Sequence, residues 1–310
     1  MSLEAQLHKE AGTIDFTATV ALSAGQVMQC PDGRAAVVAG LKGFAIGDTA
    51  TVYTTGIYTV AKTASMVVLD GQKLYWDATN SAAKYTGDFY IGTAVGDGTS
   101  AATTIKVDLN AVQVPRISLD QGTWSEVTST ATISHKSANE KQLALTTAGS
   151  AQYAWLTSDA TVDIDDGPIL EGWIGVFDNG DNAVVDIDWG FVSAAGTTDF
   201  EAASALAAFH LDGNDTDLDV HSDDGTTDTD PVDSTADLTE DVYDFYQLDL
   251  RTKTAPKFYR NGVLLTSTAC VMTAYTSTLM AAVVIEKSGT DDTPGEVRVK
   301  ELNVRTGRVA

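Results

Sequence analysis

DGQKLYWDATNSAAKYTGDFYIGTAVGDGTSAATTIKVDLN, residues 70–110, is the stretch that decides the fold of the first part of this chain. Runs of β-forming residues alternate in it with turn sequences, and we predict strands at Gln72–Asp77, Phe89–Val95 and Thr103–Leu109. In the last run, Ile105, Val107 and Leu109 alternate with polar residues, the pattern of a strand with one buried face. Gly96-Asp97-Gly98 supplies the positive-φ positions of a tight turn. The stretch predicts a small antiparallel β-domain.

The residues before this stretch continue the pattern. We predict further strands at Thr13–Leu22, Gly25–Cys30, Arg34–Ala39, Asp48–Tyr53 and Ile57–Ala61. Pro31-Asp32-Gly33 reverses the chain between two of them, because these residue types favour turns. Short strands at regular spacing, glycine-rich turns and no helical periodicity indicate a small β-barrel or sandwich.

This part of the chain also carries a family resemblance. The segments GDTATVYTTGIYTVAK (47–62), GQKLYWDA (71–78), IGTAV (91–95) and TTIKVDLN (103–110) resemble the capsid cement, or decoration, domain of tailed bacteriophages over about residues 12–112. The resemblance implies a virion structural protein that binds the major capsid protein on the outer surface of the head and stabilises it, usually as a homotrimer. It implies no enzyme activity and no cofactor.

A domain boundary is predicted at the segment NAVQVPR, Asn110–Arg116. Pro115 cannot donate a hydrogen bond to a sheet and therefore favours a linker. We expect a capsid-binding β-domain at 13–113 and a second, acidic β-domain at 114–310. Residues 1–12 lack strand alternation and predict a flexible arm, either a frayed terminus or a segment that orders on a partner.

The second domain shows its own strand pattern. Pro168–Phe177 is largely apolar, and in Ala183–Val192 apolar residues alternate with Asp186 and Asp188. Thr197–Phe209 is alanine-rich with capping-box spacing and is a helix candidate, the alternative being a loop that leads into a strand. Asp212–Asp241 is close to a low-complexity acidic tract with one strand, Leu218–Ser222. Further strands are expected at Gln142–Thr146, Tyr153–Thr157, Val242–Leu250, Pro256–Tyr259, Val263–Ser267, Leu279–Glu286 and Glu296–Val304.

The end of the chain carries a second resemblance. Asn261-Gly262 is a strong hairpin signal, since both positions tolerate positive φ. DFYQLDLRTKTAPKFYRNGVLL (244–265) and VRVKELNVR (297–305) resemble the closing strands of concanavalin-like and laminin-G-like domains over about 117–306. That implies a jelly-roll β-sandwich. It leaves open an alternative function, a carbohydrate-binding module that attaches to host-surface glycans, because such sandwiches host many activities.

Charge excludes some classes of partner. The net charge is −24, and no Lys or Arg stands between Lys141 and Arg251. Such a surface repels nucleic acid, whose binding depends on basic residues, and it favours solvent exposure. No apolar run is long enough to span a bilayer, and the polar N-terminus predicts no secretion signal, so we expect synthesis in the host cytoplasm. Cys30 and Cys270 are expected to be small buried thiols.

Catalytic motifs are not found. The chain has no P-loop, no GxSxG and no HExxH, and His210 and His221 are interpreted as ordinary surface or strand histidines. Asp186 and Asp188 lie on one face of a strand, an arrangement that a retaining glycosidase could use and that any acidic sheet also shows. We therefore predict no enzyme activity.

Calcium is the metal that the acidic tract favours. The candidate ligands are hard oxygens at close spacing, with Gly213 permitting a tight turn: Asp212, Asn214, Asp215, Asp217 and Asp219. The EF-hand pattern fails, because Val220 stands at the sixth position from Asp215, where Gly is required. A solvated acidic loop without metal is the alternative.

The two domains are expected to fold separately. Limited proteolysis should cut the chain within Asn110–Arg116 and leave two stable fragments, because few contacts cross an exposed linker. Mass spectrometry of the fragments gives the cleavage site. A single resistant core that includes both sides of Pro115 would contradict this division.

Overall fold

The computed structural model describes residues 12–40, 42–112, 117–119, 123–137, 139–195, 199–265, 270–289 and 292–306. The chain divides into two compact units, Met1–Gln113 and Val114–Ala310. The predicted linker spans this division, and Pro115 lies outside the described residues, as does the predicted arm except for Gly12. Cys30 and Cys270 are free and buried, as expected.

The first unit consists of two antiparallel sheets. Its strands are β1 (Thr13–Thr17), β2 (Val27–Gln29), β3 (Ala35–Val38), β4 (Thr49–Tyr53), β5 (Ile57–Ala61), β6 (Lys73–Asp77), β7 (Ala82–Lys84), β8 (Phe89–Ala94) and β9 (Thr104–Leu109). One sheet has the order β1-β4-β3-β2 and the other β5-β9-β8-β6-β7. All the predicted strands of this unit are present, several of them shorter than predicted, and β7 was missed because only three residues pair there.

Strand β3 holds the first unit together. Ala35 and Val37 pack into the core of the five-stranded sheet, whereas Ala36 and Val38 pack into a second cluster beneath the four-stranded sheet. All four side chains are buried, because the strand lies between two apolar clusters. Asn110, at a φ of 59°, reaches the same strand: its amide accepts from Ala35 N at 2.9 Å and donates to Ala35 O at 2.8 Å.

The second unit contains two eight-stranded antiparallel sheets. Its strands are β10 (Ile117–Ser118), β11 (Trp124–Ser129), β12 (Thr132–Ser137), β13 (Glu140–Leu145), β14 (Gln152–Ser158), β15 (Val162–Asp163), β16 (Pro168–Asp178), β17 (Val185–Val192), β18 (Leu206–Asp212), β19 (Asp217–Asp223), β20 (Asp228–Asp237), β21 (Val242–Asp249), β22 (Lys257–Arg260), β23 (Val263–Leu264), β24 (Thr278–Lys287) and β25 (Gly295–Thr306). A short 3-10 helix spans Ile164–Asp166. The orders are β12-β13-β25-β16-β21-β22-β23 with β10 beside β25, and β11-β14-β24-β17-β18-β19-β20 with β15 beside β24.

The two large sheets pack face to face around an aromatic core. Trp189 of one sheet meets Tyr246 of the other with ring centroids 4.9 Å apart, and Phe209 meets Phe258 at 5.3 Å. Truncating such a ring typically costs about 3–5 kcal/mol, so these contacts are a large part of the unit's stability. The predicted all-β class, with a jelly-roll sandwich as the second unit, is confirmed.

Two interpretations of the sequence need correction. The helix predicted over Thr197–Phe209 is wrong for the described residues 199–209: an irregular segment leads directly into β18. Alternate residues of β18, Ala207 and Phe209 among them, pack into the sandwich core, and this period-two burial overrides the helix propensity of alanine.

The acidic tract is more ordered than predicted, since it forms both β19 and β20. β20 is the last strand of its sheet. An edge strand tolerates Pro231, because one side of it makes no ladder hydrogen bonds, and its aspartates discourage pairing with another chain. The hairpin at Asn261-Gly262 is confirmed, with φ angles of 50° and 75°.

An ion pair stabilises the turn after β6. Asp77 Oδ2 accepts from Lys84 Nζ at 2.6 Å and from Asn80 Nδ2 at 2.8 Å. These hydrogen bonds, the one from Lys84 above all, hold the pKa of Asp77 well below its usual range.

Substituting Asp77→Asn should therefore destabilise the protein at neutral pH. A carboxylate with a lowered pKa in the folded state stabilises above its ordinary pKa, and the contribution is lost as pH falls through the lowered value. The difference in melting temperature between wild type and Asp77→Asn should be largest near pH 7 and shrink below about pH 4. Scanning calorimetry measures it, with Lys84→Met expected to behave alike and Lys73→Met as the control. A difference that grows as the solution is acidified would contradict this account.

Candidate functional site

The outer face of the sheet that contains β17, β18 and β19 carries a cluster of acidic and imidazole side chains. Ile187 and Trp189 of β17 point into the sandwich core, so Asp186 and Asp188 point to the opposite face, as predicted. In the antiparallel register Asp188 faces His210, which in turn faces Asp219. Because directly opposed residues share a face, the ladder brings these side chains together. We call the group the acid–imidazole cluster; its members are Asp186, Asp188, Glu201, His210, Asp212, Asp219, His221 and Glu286.

Two histidines occupy the centre of this cluster. His210 Nδ1 lies 2.9 Å from Asp188 Oδ1, and His210 Nε2 lies 3.4 Å from Asp212 Oδ1. His221 Nδ1 lies 3.5 Å from Glu201 Oε1. The two rings stack with centroids 5.8 Å apart and an interplanar angle of 24°. Each imidazole is thus held by a carboxylate of its own.

The segment before β18 covers the cluster. Phe200 packs against Trp155, with ring centroids 5.5 Å apart, and against the His221 ring at 6.1 Å. The Phe200 backbone N–H donates to Glu286 Oε1 at 2.8 Å. Asp188 is 0% and His210 4% exposed as a result, although both lie on the outside of the sandwich. The side chains of Asp212 and Glu201 are half exposed and connect the cluster to solvent.

Burial and charge shift the pKa values of this cluster. Burial alone would lower the pKa of His210, but the charge of Asp188 and hydrogen bonds to Asp188 and Asp212 outweigh it and raise that pKa to about 11. Burial, followed by the charge of Asp188, raises the pKa of Asp186 to about 7 and that of Glu286 to about 8. The cluster contains six carboxyl groups and only two imidazoles, so it lacks the positive charge that would allow every carboxyl group to ionise.

Two groups of three residues in this cluster could hold a cation. In each, one ligand atom per residue lies within 4.8 Å of the others: Asp188, His210 and His221 form one group, and Asp186, His210 and Asp212 the other. Among the described residues, Asp188 Oδ2, His221 Nε2 and Glu286 Oε2 are buried and have no hydrogen-bond partner.

The predicted calcium ligands lie at the edge of this cluster rather than in one site. Asp212 belongs to the second cation group, and Asp219 faces His210. Asn214 is in a left-handed turn with a φ of 61°, and Asp215 Oδ1 caps that turn by accepting from Asp217 N. All four of these aspartates are described, and no three of their carboxylates come within 4.8 Å of one another. Calcium binding by this loop stays a prediction.

The place of His210, His221, Glu201 and Glu286 in this cluster was not predicted from the sequence. The signal for the histidines was present: each lies on a strand that pairs with an aspartate-bearing neighbour, but the pairing of the strands was not known. Glu201 and Glu286 had no such signal. Glu201 comes from the irregular segment before β18, and Glu286 comes from β24, which is distant in sequence.

The first unit carries an exposed apolar pair of a different kind. Leu22 pairs with Phe44 in an isolated antiparallel bridge, and Gly47 N donates to Ala18 O at 2.8 Å. Between these contacts, Val20 lies in a bend and Ile46 in a turn, and their side chains are 58% and 71% exposed. Exposed apolar side chains in neighbouring segments of one unit are candidates for a surface that a partner covers.

Residues 8–109 match the family described as phage cement protein. This confirms the resemblance of residues 12–112, and it covers the first unit and about a third of the whole chain. The match supports a structural, decorating role in a phage. No curated protein matches the chain. No helix among the described residues is long and apolar enough to cross a membrane.

Solved structures resemble the chain in fold. The chain is similar to the Emp47p carbohydrate recognition domain, with 12% identity, coverage of 64% of this chain and 92% of that one, and a TM-score of 0.44. It is similar to a Bacillus licheniformis β-glucanase with 15% identity, 60% and 92% coverage, and a TM-score of 0.44. It is also similar to a glycoside hydrolase family 16 endo-glucanase from Bacteroides ovatus, with 9% identity, coverage of 60% of this chain and 95% of that one, and a TM-score of 0.44. Likeness at this level says nothing about what this chain binds.

The calcium prediction is tested by melting the full chain. If the loop at 212–219 binds calcium, millimolar calcium should raise the melting temperature by mass action, and Asp217→Asn should reduce the shift. Magnesium at equal concentration controls for ionic strength, and Asp228→Asn, on the edge strand β20, is the control variant. Equal shifts with both ions, or no shift at all, would leave a solvated loop.

Proposed function

We propose that this protein is a decoration protein of a phage head, with a first unit that binds the outer surface of the capsid and a second unit that projects into solvent. The observation that carries the proposal is the match of residues 8–109 to the phage cement protein family. The mechanism is non-enzymatic. Contacts made only with the assembled shell stabilise that shell over its separated subunits, because a ligand stabilises the state it binds.

The charges of the two units support this orientation. Residues 1–113 contain seven Lys and Arg against ten Asp and Glu, a net charge of −3. Residues 114–310 contain 12 against 33, a net charge of −21. The nearly neutral unit approaches another protein surface at little electrostatic cost, whereas many copies of the acidic unit repel one another and are best placed in solvent.

The apolar pair Val20 and Ile46 is the contact that we assign to the capsid. Both residues are exposed, and they lie in the two segments that the Leu22–Phe44 bridge joins. Burying large apolar side chains contributes about 1.5–3 kcal/mol each when complete. A contact of this size is weak alone. A homotrimer placed on a threefold or quasi-threefold point of the lattice would present it three times and so bind tightly.

Glycan binding by the second unit stays the alternative prediction. A glycan array with the full chain tests it, and binding there together with no affinity for capsids would favour the carbohydrate-binding module.

The capsid contact is tested with the double variant Val20→Ser, Ile46→Ser. Cosedimentation with undecorated capsids should show affinity reduced at least tenfold, because loss of about 1.4 kcal/mol corresponds to a factor of ten. The matched control is Val263→Ser, Leu264→Ser, which removes two apolar residues, 56% and 53% exposed, from the second unit. Light scattering of the free protein measures its mass and should give that of a trimer.

Two results would contradict the proposal. One is capsid binding that survives in residues 114–310 alone. The other is a monomer at micromolar concentration that still saturates capsids. Equal loss of binding in both double variants would move the contact away from Val20 and Ile46 and leave the decorating role itself intact.

A further inference from the structure

Three buried side chains of the acid–imidazole cluster converge on one point. A carboxylate oxygen of Asp188 and one ring nitrogen each of His210 and His221 lie within 4.8 Å of one another. All three residues are at most 4% exposed. They come from the neighbouring strands β17, β18 and β19, so the backbone ladder holds them at fixed separations. Ligand atoms that are already positioned lose little freedom when they bind an ion.

Two of these three side chains have a buried polar atom without a hydrogen-bond partner in the described part of the chain. Asp188 Oδ2 and His221 Nε2 are buried and have no hydrogen-bond partner among the described residues. Nearly all buried polar atoms in folded proteins have a partner, and a bound ion or water is one explanation of an exception. A carboxylate oxygen and an imidazole lone pair are both metal ligands.

A second carboxylate orients one of the imidazoles. Glu201 Oε1 lies 3.5 Å from His221 Nδ1. A proton on Nδ1, donated to Glu201, leaves the lone pair on Nε2, the nitrogen without a partner. A carboxylate behind a histidine is the usual outer-sphere arrangement of a metal-binding imidazole.

The local charge balance favours a cation. The stretch 142–250, which contains β17, β18 and β19, has no Lys or Arg. Among the described residues, the ion pairs of Asp188, Asp212 and Glu201 are all with histidines. A divalent ion supplies the positive charge that buried carboxylates need.

We propose that Asp188, His210 and His221 bind a divalent transition metal of the zinc class, with Glu201 orienting His221 and a water at the fourth position. Two imidazole nitrogens with one carboxylate suit zinc, whereas calcium takes oxygen ligands almost exclusively. Metal–ligand bonds near 2.1 Å place tetrahedral ligand atoms about 3.4 Å apart, which small side-chain rotations achieve from the observed separations. Metal binding displaces the proton that His210 shares with Asp188. The site is separate from the predicted calcium loop and does not depend on capsid binding.

Titration of the metal-stripped full chain with zinc tests this site. Calorimetry should show one zinc ion per chain, and a hundredfold excess of calcium should not displace it. Cobalt in place of zinc should give the intense visible absorption of a tetrahedral, nitrogen-containing site, and zinc should abolish it. Zinc should also raise the melting temperature, since it binds the folded state.

Variants assign the ligands. Glu201→Gln, at a half-exposed position, should weaken zinc binding 10–100-fold, as is typical for an outer-sphere partner. His221→Gln should abolish binding, whereas His135→Gln, whose side chain is 61% exposed in the same unit, should bind like wild type. If His221→Gln does not fold, the cobalt spectrum of the wild type and Glu201→Gln decide. No stoichiometric zinc binding, a cobalt spectrum of the free aqua ion only, or equal affinity in wild type and Glu201→Gln would overturn the proposal.

Discussion

Buried carboxylates need a positive charge beside them, and the outer face of the second unit depends on this constraint. Asp188 is fully buried with Asp186 and Glu286 close by, and the stretch 142–250 contains no Lys or Arg. His210 supplies the charge through its 2.9 Å contact with Asp188. Breaking one partner of such a buried pair typically costs about 3–5 kcal/mol, because the other charge is left alone. Removing either Asp188 or His210 is therefore expected to destabilise the second unit.

Both faces of the sheet that contains β17 are covered by other parts of the unit. This burial sets the electrostatics of the acid–imidazole cluster. One face of β17 packs into the aromatic core around Trp189, and the other lies beneath Phe200 and the segment before β18. Water is kept away from Asp186 and Glu286, so burial and the nearby charge of Asp188 raise the pKa values of these two carboxyl groups. The same cover would make a bound cation strongly held and slow to leave.

The two units are both built from β-strands, but they differ in size, core packing and charge. The first is small and packs two apolar clusters against one strand, with Ala35 and Ala36 leaving room for both. The second is larger, carries 33 of the 43 Asp and Glu residues, and ends its acidic sheet in the aspartate-rich strand β20. The proposed decoration role uses this difference, because a nearly neutral unit approaches a capsid surface at less electrostatic cost than an acidic one.

Local pattern determined most of the strands, because the alternation in Thr104–Leu109 and the turn at Asn261-Gly262 are encoded by adjacent residues. The same reasoning placed Asp186 and Asp188 on one face. It went wrong at Thr197–Phe209, where alanine-rich sequence favours a helix and burial in the sandwich makes part of it a strand. Only the tertiary structure decided the site: Asp188, His210, His221 and Glu286 meet because of strand order and register. Pairing of that kind depends on contacts between distant residues, and no local pattern specifies it.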